Sequence, residues 1–333
     1  MDTPSFFDFA MKDQGGRKSI KFLYEMKEQI PYERLEALLI KEGVYRPKQA
    51  NRAGRTPYRC SVLLGSLFLQ SWYGLSDPMT EELIHDRLSF RKFLDIQAED
   101  DIPDETTIGK FRNAIMEKML FDKIFDEINQ MMIEKGLILK EGSIVDATLI
   151  HSSEPKRKKD NEGKVVSNKA ADPDASYTSK RGQKYHGYKI HTATDKNGMI
   201  KKVQTTTAKE ADITQLDNLT QAEKHYIVAD SGYMSKAKKQ LSRAKGIFHG
   251  VVERRVRGQS KLRAKQKKNN QRFASVRAIG ELPFAFIKKL MGYKETRFIG
   301  LEKNDQYHLL LAAAYNIRRA PAMQMKLENG QNR

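Results

Sequence analysis

Residues 186–207, HGYKIHTATDKNGMIKKVQTTT, hold two runs of β-formers, HGYKIHTAT and MIKKVQTTT, on either side of DKNG. Asn197-Gly198 can take the positive φ angles of a tight turn, so two antiparallel strands are the natural reading. Working outward, SIVDATLIH (143–151) is short, β-branched and alternating, and reads as the strand before this hairpin. Downstream come a helix or turn in TQLDNLTQAEK, a strand in HYIVADSGY, an amphipathic basic helix in SKAKKQLSRAKG and a last strand in IFHGVVE. A hairpin-linked antiparallel triple followed by crossover helices predicts a five-stranded mixed sheet with helices on both faces.

Before residue 140 the pattern is helical. SIKFLYEMKEQI and YERLEALLIKEG carry apolar residues at spacings of three and four, and Gly43 is placed to close the second helix. CSVLLGSLFLQSWYGL is nearly all apolar and predicts a buried central helix, with Trp72 in the core. Asp104 or Thr106 is placed to cap a later helix, and Gly136 to stop the one after it. The expected organisation is a helical domain over 1–140, an α/β domain over 141–320 and a flexible tail over 321–333. Within the α/β domain, residues 152–184 lack apolar periodicity and predict a mobile loop. A helix is expected around Glu281–Leu290, starting near Glu281 or kinked at Pro283. A terminal helix over 304–320 should stop at Pro321.

Lys plus Arg is 60 and Asp plus Glu is 42, a net charge of +18. An excess this large is an electrostatic footprint for a polyanion. From Arg254 to Arg272 there are nine basic residues and no acidic one. That run, with Arg254, Arg255 and Arg257 at its head, reads as a DNA-backbone contact in preference to a plain linker. Cys60 is the sole cysteine, which excludes an internal disulfide and a cysteine zinc site. MDTPSFFDFAMKD lacks a secretory pattern, and the Leu63–Leu75 stretch is too short and interrupted to span a bilayer. The expected location is a reducing, cytoplasmic one.

Asp146 lies mid-strand inside an apolar run, where burial without a partner would be costly. Asp230 ends its strand, the position at which open α/β sheets present ligand-binding groups. Glu281 would approach from a helix across the sheet, with Glu253, Glu295 and Glu302 as rivals. Three such carboxylates suit hard divalent cations, Mg²⁺ or Mn²⁺ and two ions in the two-metal arrangement, for phosphodiester chemistry. Asp212 either caps the following helix or supports this site. His186 and His191 would face opposite sides of a strand, which argues against a shared zinc.

These pieces carry a resemblance. IVDATLI, GQKYHGYKIHTATD, TTTAKEADITQL, VADSGY and RAIGELPFAFIKK resemble the catalytic domain of DDE transposases of bacterial insertion sequences, the IS-five group. LSFRKFLDI and IPDETTIGKFR are similar to the InsH-like N-terminal domain of such transposases. The resemblance implies a ribonuclease H-like core with a metal-binding triad at Asp146, Asp230 and Glu281. Arg277, Glu281 and Lys288 fit the spacing of the family signature around the last acid, while Ala274 stands at its tyrosine position. It implies DNA contacts through Arg277, Lys288 and Lys189, binding of double-stranded inverted-repeat ends and target DNA, and a homodimer on DNA. The alternatives are a nuclease of the same fold that cuts without joining, and a non-enzymatic DNA-binding regulator descended from a transposase.

Overall fold

The computed structural model describes residues 18–48, 56–97, 99–154, 157–159, 165–167, 172–180, 182–255 and 258–331. It divides into two compact units, Met1–Met131 with Ala313–Arg333, and Met132–Ala312.

The first unit is helical. Its centre is the helix Cys60–Tyr73, buried over nearly its whole length. A mostly apolar helix, interrupted by Ser61 at its start and by Gly65, Ser66, Gln70 and Ser71 further in, has little face to give to water. Ser66 and Ser71 hide their hydroxyls by donating to carbonyls four residues back, Val62 and Leu67. Trp72 lies between Phe68 and Phe93, and its Nε1 donates to the Ala314 carbonyl at 2.8 Å. Burial pushes the Cys60 thiol up to about 12, as an inert core cysteine requires. Asp104 caps the helix Glu105–Glu117 by accepting from the Thr107 amide at 2.6 Å. Gly43 and Gly136 hold the positive φ angles that follow their helices.

The second unit is built on a six-stranded sheet. Its strands are β1 (Ser143–His151), β4 (Ser176–Lys180), β5 (Gln183–Thr194), β6 (Ile200–Thr207), β7 (Tyr226–Ala229) and β8 (Phe248–Val251). The order is β4-β5-β1-β7-β8, with β6 also on β5. β4 pairs with the first residues of β5 and β6 with the rest, so both lie on one side of it. β1 runs antiparallel to β5 and parallel to β7, and β7 runs parallel to β8. Three antiparallel strands followed by two parallel ones is the ribonuclease H-like order. In the hairpin turn, Asp195 accepts from the Asn197 and Met199 amides, and from Leu139 of the incoming chain.

Three expectations are corrected. Residues 152–184 were expected as a loop, but they contain a small pair, β2 (Arg157–Lys159) with β3 (Val165–Ser167), and all of β4. β4 is mostly exposed, so its polar residues hid its alternation. The helix before the last runs Ala264–Lys289, starting 17 residues earlier than Glu281. Gln266 closes its first turn by accepting from the Arg263 amide. Pro283 sits inside this helix and is buried there. The last helix, Leu301–Gln331, passes through Pro321. Burial of Tyr315, Ile317 and Ala320 before the proline, and of Met323 after it, offsets the roughly 3 kcal/mol that an interior proline costs. The expected tail is therefore helical from 321 to 331.

His308 is fully buried between the Thr205 hydroxyl, 2.8 Å from Nδ1, and the Tyr293 hydroxyl, 3.0 Å from Nε2. Burial pulls its pKa down to about 3. The stability that neutral His308 contributes is complete above its ordinary pKa of 6.5 and is lost as pH falls toward 3. At pH 4.5 the loss should be about 2–3 kcal/mol. Urea midpoints compared at pH 7 and 4.5 should fall more for the wild type than for His308→Gln.

Candidate active site

β1 and β7 pair over Ser143–Val145 and Ile227–Ala229, short stretches buried in the sheet's interior. Their parallel register pairs Val145 with Ala229. The residues that follow, Asp146 and Asp230, therefore come side by side at the end of the pairing. Each carboxylate is oriented locally, Asp146 by the Ala147 amide at 2.8 Å and Asp230 by the Ser231 amide at 2.5 Å.

The helix Ala264–Lys289 crosses the sheet and is anchored at each strand it passes. Asn270 exchanges two hydrogen bonds with the Glu253 backbone just beyond β8, at 2.9 and 3.0 Å. Phe273 packs edge-on against Phe248 of β8, with ring centres 5.6 Å apart. Arg277 reaches Asp230 at 3.6 Å and Glu281 at 3.7 Å. Gly280 lies against β1, where a Cβ would meet Ile144 Cγ2 at 3.0 Å and Asp146 Cβ at 3.5 Å. Lys288 donates to the Leu149 carbonyl at 2.6 Å. Glu281 is thus linked to Asp230 through a shared guanidinium, although its own carboxylate is largely exposed.

Burial pushes the Asp146 carboxyl up to about 6, and the charges of Asp230 and Glu281 add to the rise. The Ala147 hydrogen bond and Arg277 oppose it. Among the described residues no three carboxylate, His or Cys side chains already form a closed ion-binding nest. Arg277 instead holds the place of a counter-ion between two of the acids. The donor set still fits a hard divalent cation. It offers oxygens alone, and its crowded negative charge is destabilising without a cation.

Keeping Asp146 ionised costs the metal-free fold stability. That cost is absent below about pH 4, grows as pH rises, and is complete above about pH 6. Asp146→Asn should therefore melt higher than the wild type in EDTA above pH 6, by several degrees, and lose that advantage at pH 4. Calorimetry across this range checks it.

A cleft of about 300 Å³ opens beside the acids, lined by Asp146, Asp230, Asp212, Lys189, Arg254 and the β4 segment Thr178–Lys180, among others. Asp212 opens a short 3₁₀ turn, but its side chain does not cap it. It pairs with Lys189 at 2.9 Å, and Lys189 also donates to the Glu210 carbonyl at 2.6 Å. A Cβ on Gly232 would lie 2.7 Å from the Asp212 carboxylate, so the turn after Asp230 approaches Asp212 closely. The capping reading of Asp212 is thus replaced by a contact with that turn.

Lys189 and Lys288, expected on DNA, are engaged within the protein here. Burial lowers the Lys288 pKa, and the nearby Lys180 charge lowers it further. Arg254 and Arg255 line a separate open basic hollow with Lys261 and Lys267. Arg257 lies outside the described residues. His191 is buried between the Tyr233 and Thr206 hydroxyls, at 3.1 and 2.9 Å, and burial lowers its pKa to about 4. The wall Thr178–Lys180 was missed in the sequence. Its one signal is the alternating SYTSK ahead of Gly182, which turns the chain at φ +81°.

No helix of the described residues is long and apolar enough to cross a membrane. Residues 138–317 match a family model described as "Transposase DDE domain", and residues 10–114 match one described as "Transposase domain (DUF772)". Among solved structures the chain is similar to a piggyBac transposase synaptic complex with hairpin DNA. The identity is 10%, with 93% of this chain and 75% of that one covered, at a TM-score of 0.45. It is also similar to the Mos1 strand transfer complex at 12% identity, with 78% and 85% covered and a TM-score of 0.20.

Proposed function

Since the chain belongs to the transposase DDE domain family, whose model spans more than half of it, we propose that Asp146, Asp230 and Glu281 are its reacting triad. The chain is a DDE transposase, an enzyme of DNA recombination that uses divalent metal. The observation that carries the assignment is the adjacency of Asp146 and Asp230 on neighbouring parallel strands, with Glu281 tied to Asp230 through Arg277.

The three carboxylates would hold Mg²⁺ or Mn²⁺, two ions in the working complex. When bound, the ions neutralise charge on the phosphoryl oxygens and ease ionisation of water. Asp146 and Asp230 supply oxygen donors from the rigid sheet, and Glu281 supplies them from the crossing helix. Arg277 leaves the acids and meets a DNA phosphate. Lys288 and Lys189 contact phosphate only on leaving their present partners, whereas Arg254 and Arg255 face it from the basic run. Asp212 supports Asp230 through the turn at Gly232. In the first reaction, water attacks the phosphorus at an element end, the bond to the 3′ oxygen breaks, and a 3′-hydroxyl is freed. That hydroxyl then attacks a target phosphorus in line, and the new ester forms as the target's own 3′ oxygen leaves, so no covalent protein intermediate forms.

The helical residues 1–140 recognise the inverted-repeat ends, and a homodimer brings two ends together. The match of residues 10–114 to a transposase domain supports this division of labour. The test is incubation with labelled DNA carrying the element's ends, with and without Mg²⁺ or Mn²⁺. Metal-dependent products joined to target DNA are expected. Cleavage without joining would identify a nuclease instead, and binding with neither would identify a regulator.

A further inference from the structure

We propose that the β4 segment Thr178–Lys180 is a contact surface for the phosphate backbone of a single DNA strand, facing Arg254 across the cleft. The inference rests on reading Asp146 and Asp230 as the reacting acids. The segment lines the same cleft as those two aspartates, and so does Arg254. It is a firm wall, because all five residues of β4 pair with β5, from Ser176 with Gly187 to Lys180 with Gln183. β5 in turn is the central partner of β1, the strand that carries Asp146.

The charge at this wall has no use inside the protein. Lys189 is taken by Asp212 and the Glu210 carbonyl, and Lys288 by the Leu149 carbonyl. Lys180 and Arg254 line the cleft without an ion-pair partner among the described residues. Lys180 also stands near enough to Lys288 for its charge to disfavour the second ammonium. Lys180, Arg254 and the Thr178 and Ser179 hydroxyls bring donors to the cleft, alongside the carboxylates of Asp146, Asp212 and Asp230 that also line it. Phosphate oxygens complete such a set, and contacts of this kind position DNA without reading its sequence. A space of about 300 Å³ admits the backbone of one strand at a time.

The test uses the full chain in EDTA with short fluorescein-labelled oligonucleotides of mixed sequence, single-stranded and duplex, read by anisotropy. Lys180→Ala should weaken single-strand binding about 5–10-fold. It should also lower the slope of log affinity against log salt by roughly 0.7. Lys180→Arg should restore both, and Thr178→Val should weaken binding without changing the slope. In Mn²⁺, nicking of supercoiled plasmid by Lys180→Ala should fall more at low than at saturating DNA. Unchanged affinity and slope in Lys180→Ala, or an equal loss in Lys180→Arg, overturns the proposal. Asp146→Asn in the nicking assay tests the underlying reading separately. Retained nicking there would sink the triad assignment, whatever Lys180 does.

Discussion

Asp146→Asn and Asp230→Asn should each lower DNA cleavage on the order of 10³-fold or more, about 4 kcal/mol of barrier. Binding to element ends should stay within a few-fold of the wild type. Asparagine keeps the size and one oxygen of the aspartate, so the amide bonds from Ala147 and Ser231 can persist. What disappears is the negative charge needed to hold a divalent ion. Asp146 is the more informative position. It sits inside β1, and its substitution relieves a buried charge instead of creating a defect. A protein that melts higher yet does not cut would exclude misfolding as the cause. Single-turnover cleavage assays alongside mobility shifts check the pair, and lost binding with retained cleavage would refute the assignment.

Gly187→Ala should destabilise the protein by more than about 4 kcal/mol and leave little soluble chain. Gly187 lies where β5 passes from pairing with β4 to pairing with β6, at φ +149°. A Cβ there would lie 2.1 Å from the Ile150 carbonyl oxygen and 2.8 Å from the Ser152 amide. Both are backbone atoms of the β1 end, and the Ser152 amide is already donating to the His186 carbonyl. Neither can yield without breaking the sheet. Gly136→Ala is the control, since its φ of +70° is equally unusual but a Cβ meets nothing within 4 Å. It should cost only the roughly 1–2 kcal/mol of left-handed backbone strain. Equal urea midpoints for the two variants would show that the close approach is unimportant.

The strands around Asp146 and Asp230 were legible because β-branched runs bounded by turn residues have few other options. The hairpin declared itself through Asn197-Gly198. The helix Ala264–Lys289 was half legible. Its first turns hold Lys265, Lys267, Lys268 and Arg272, and their lack of apolar spacing drew attention to charge. Lys, Gln and Arg are good helix formers, so propensity pointed the other way. Pro321 shows the reverse case, in which local chemistry says stop and tertiary burial carries the helix on. Asp146 and Asp230 stood out through their local contexts, and Glu281 through its spacing from Arg277 and Lys288. The placing of Arg277 between two of them did not, because it depends on how the crossing helix is registered against the sheet. Lys180 was hidden for the same reason, since only pairing of β4 with β5 brings it to the cleft.

The crossing helix is fastened at Asn270, Arg277, Gly280 and Lys288, all downstream of the connection that leaves β8. Chain spliced into that connection beyond Arg254 would leave these fastenings in place. It is the natural port at which a lineage, or a protein engineer, could graft an additional module while the chemistry keeps its alignment.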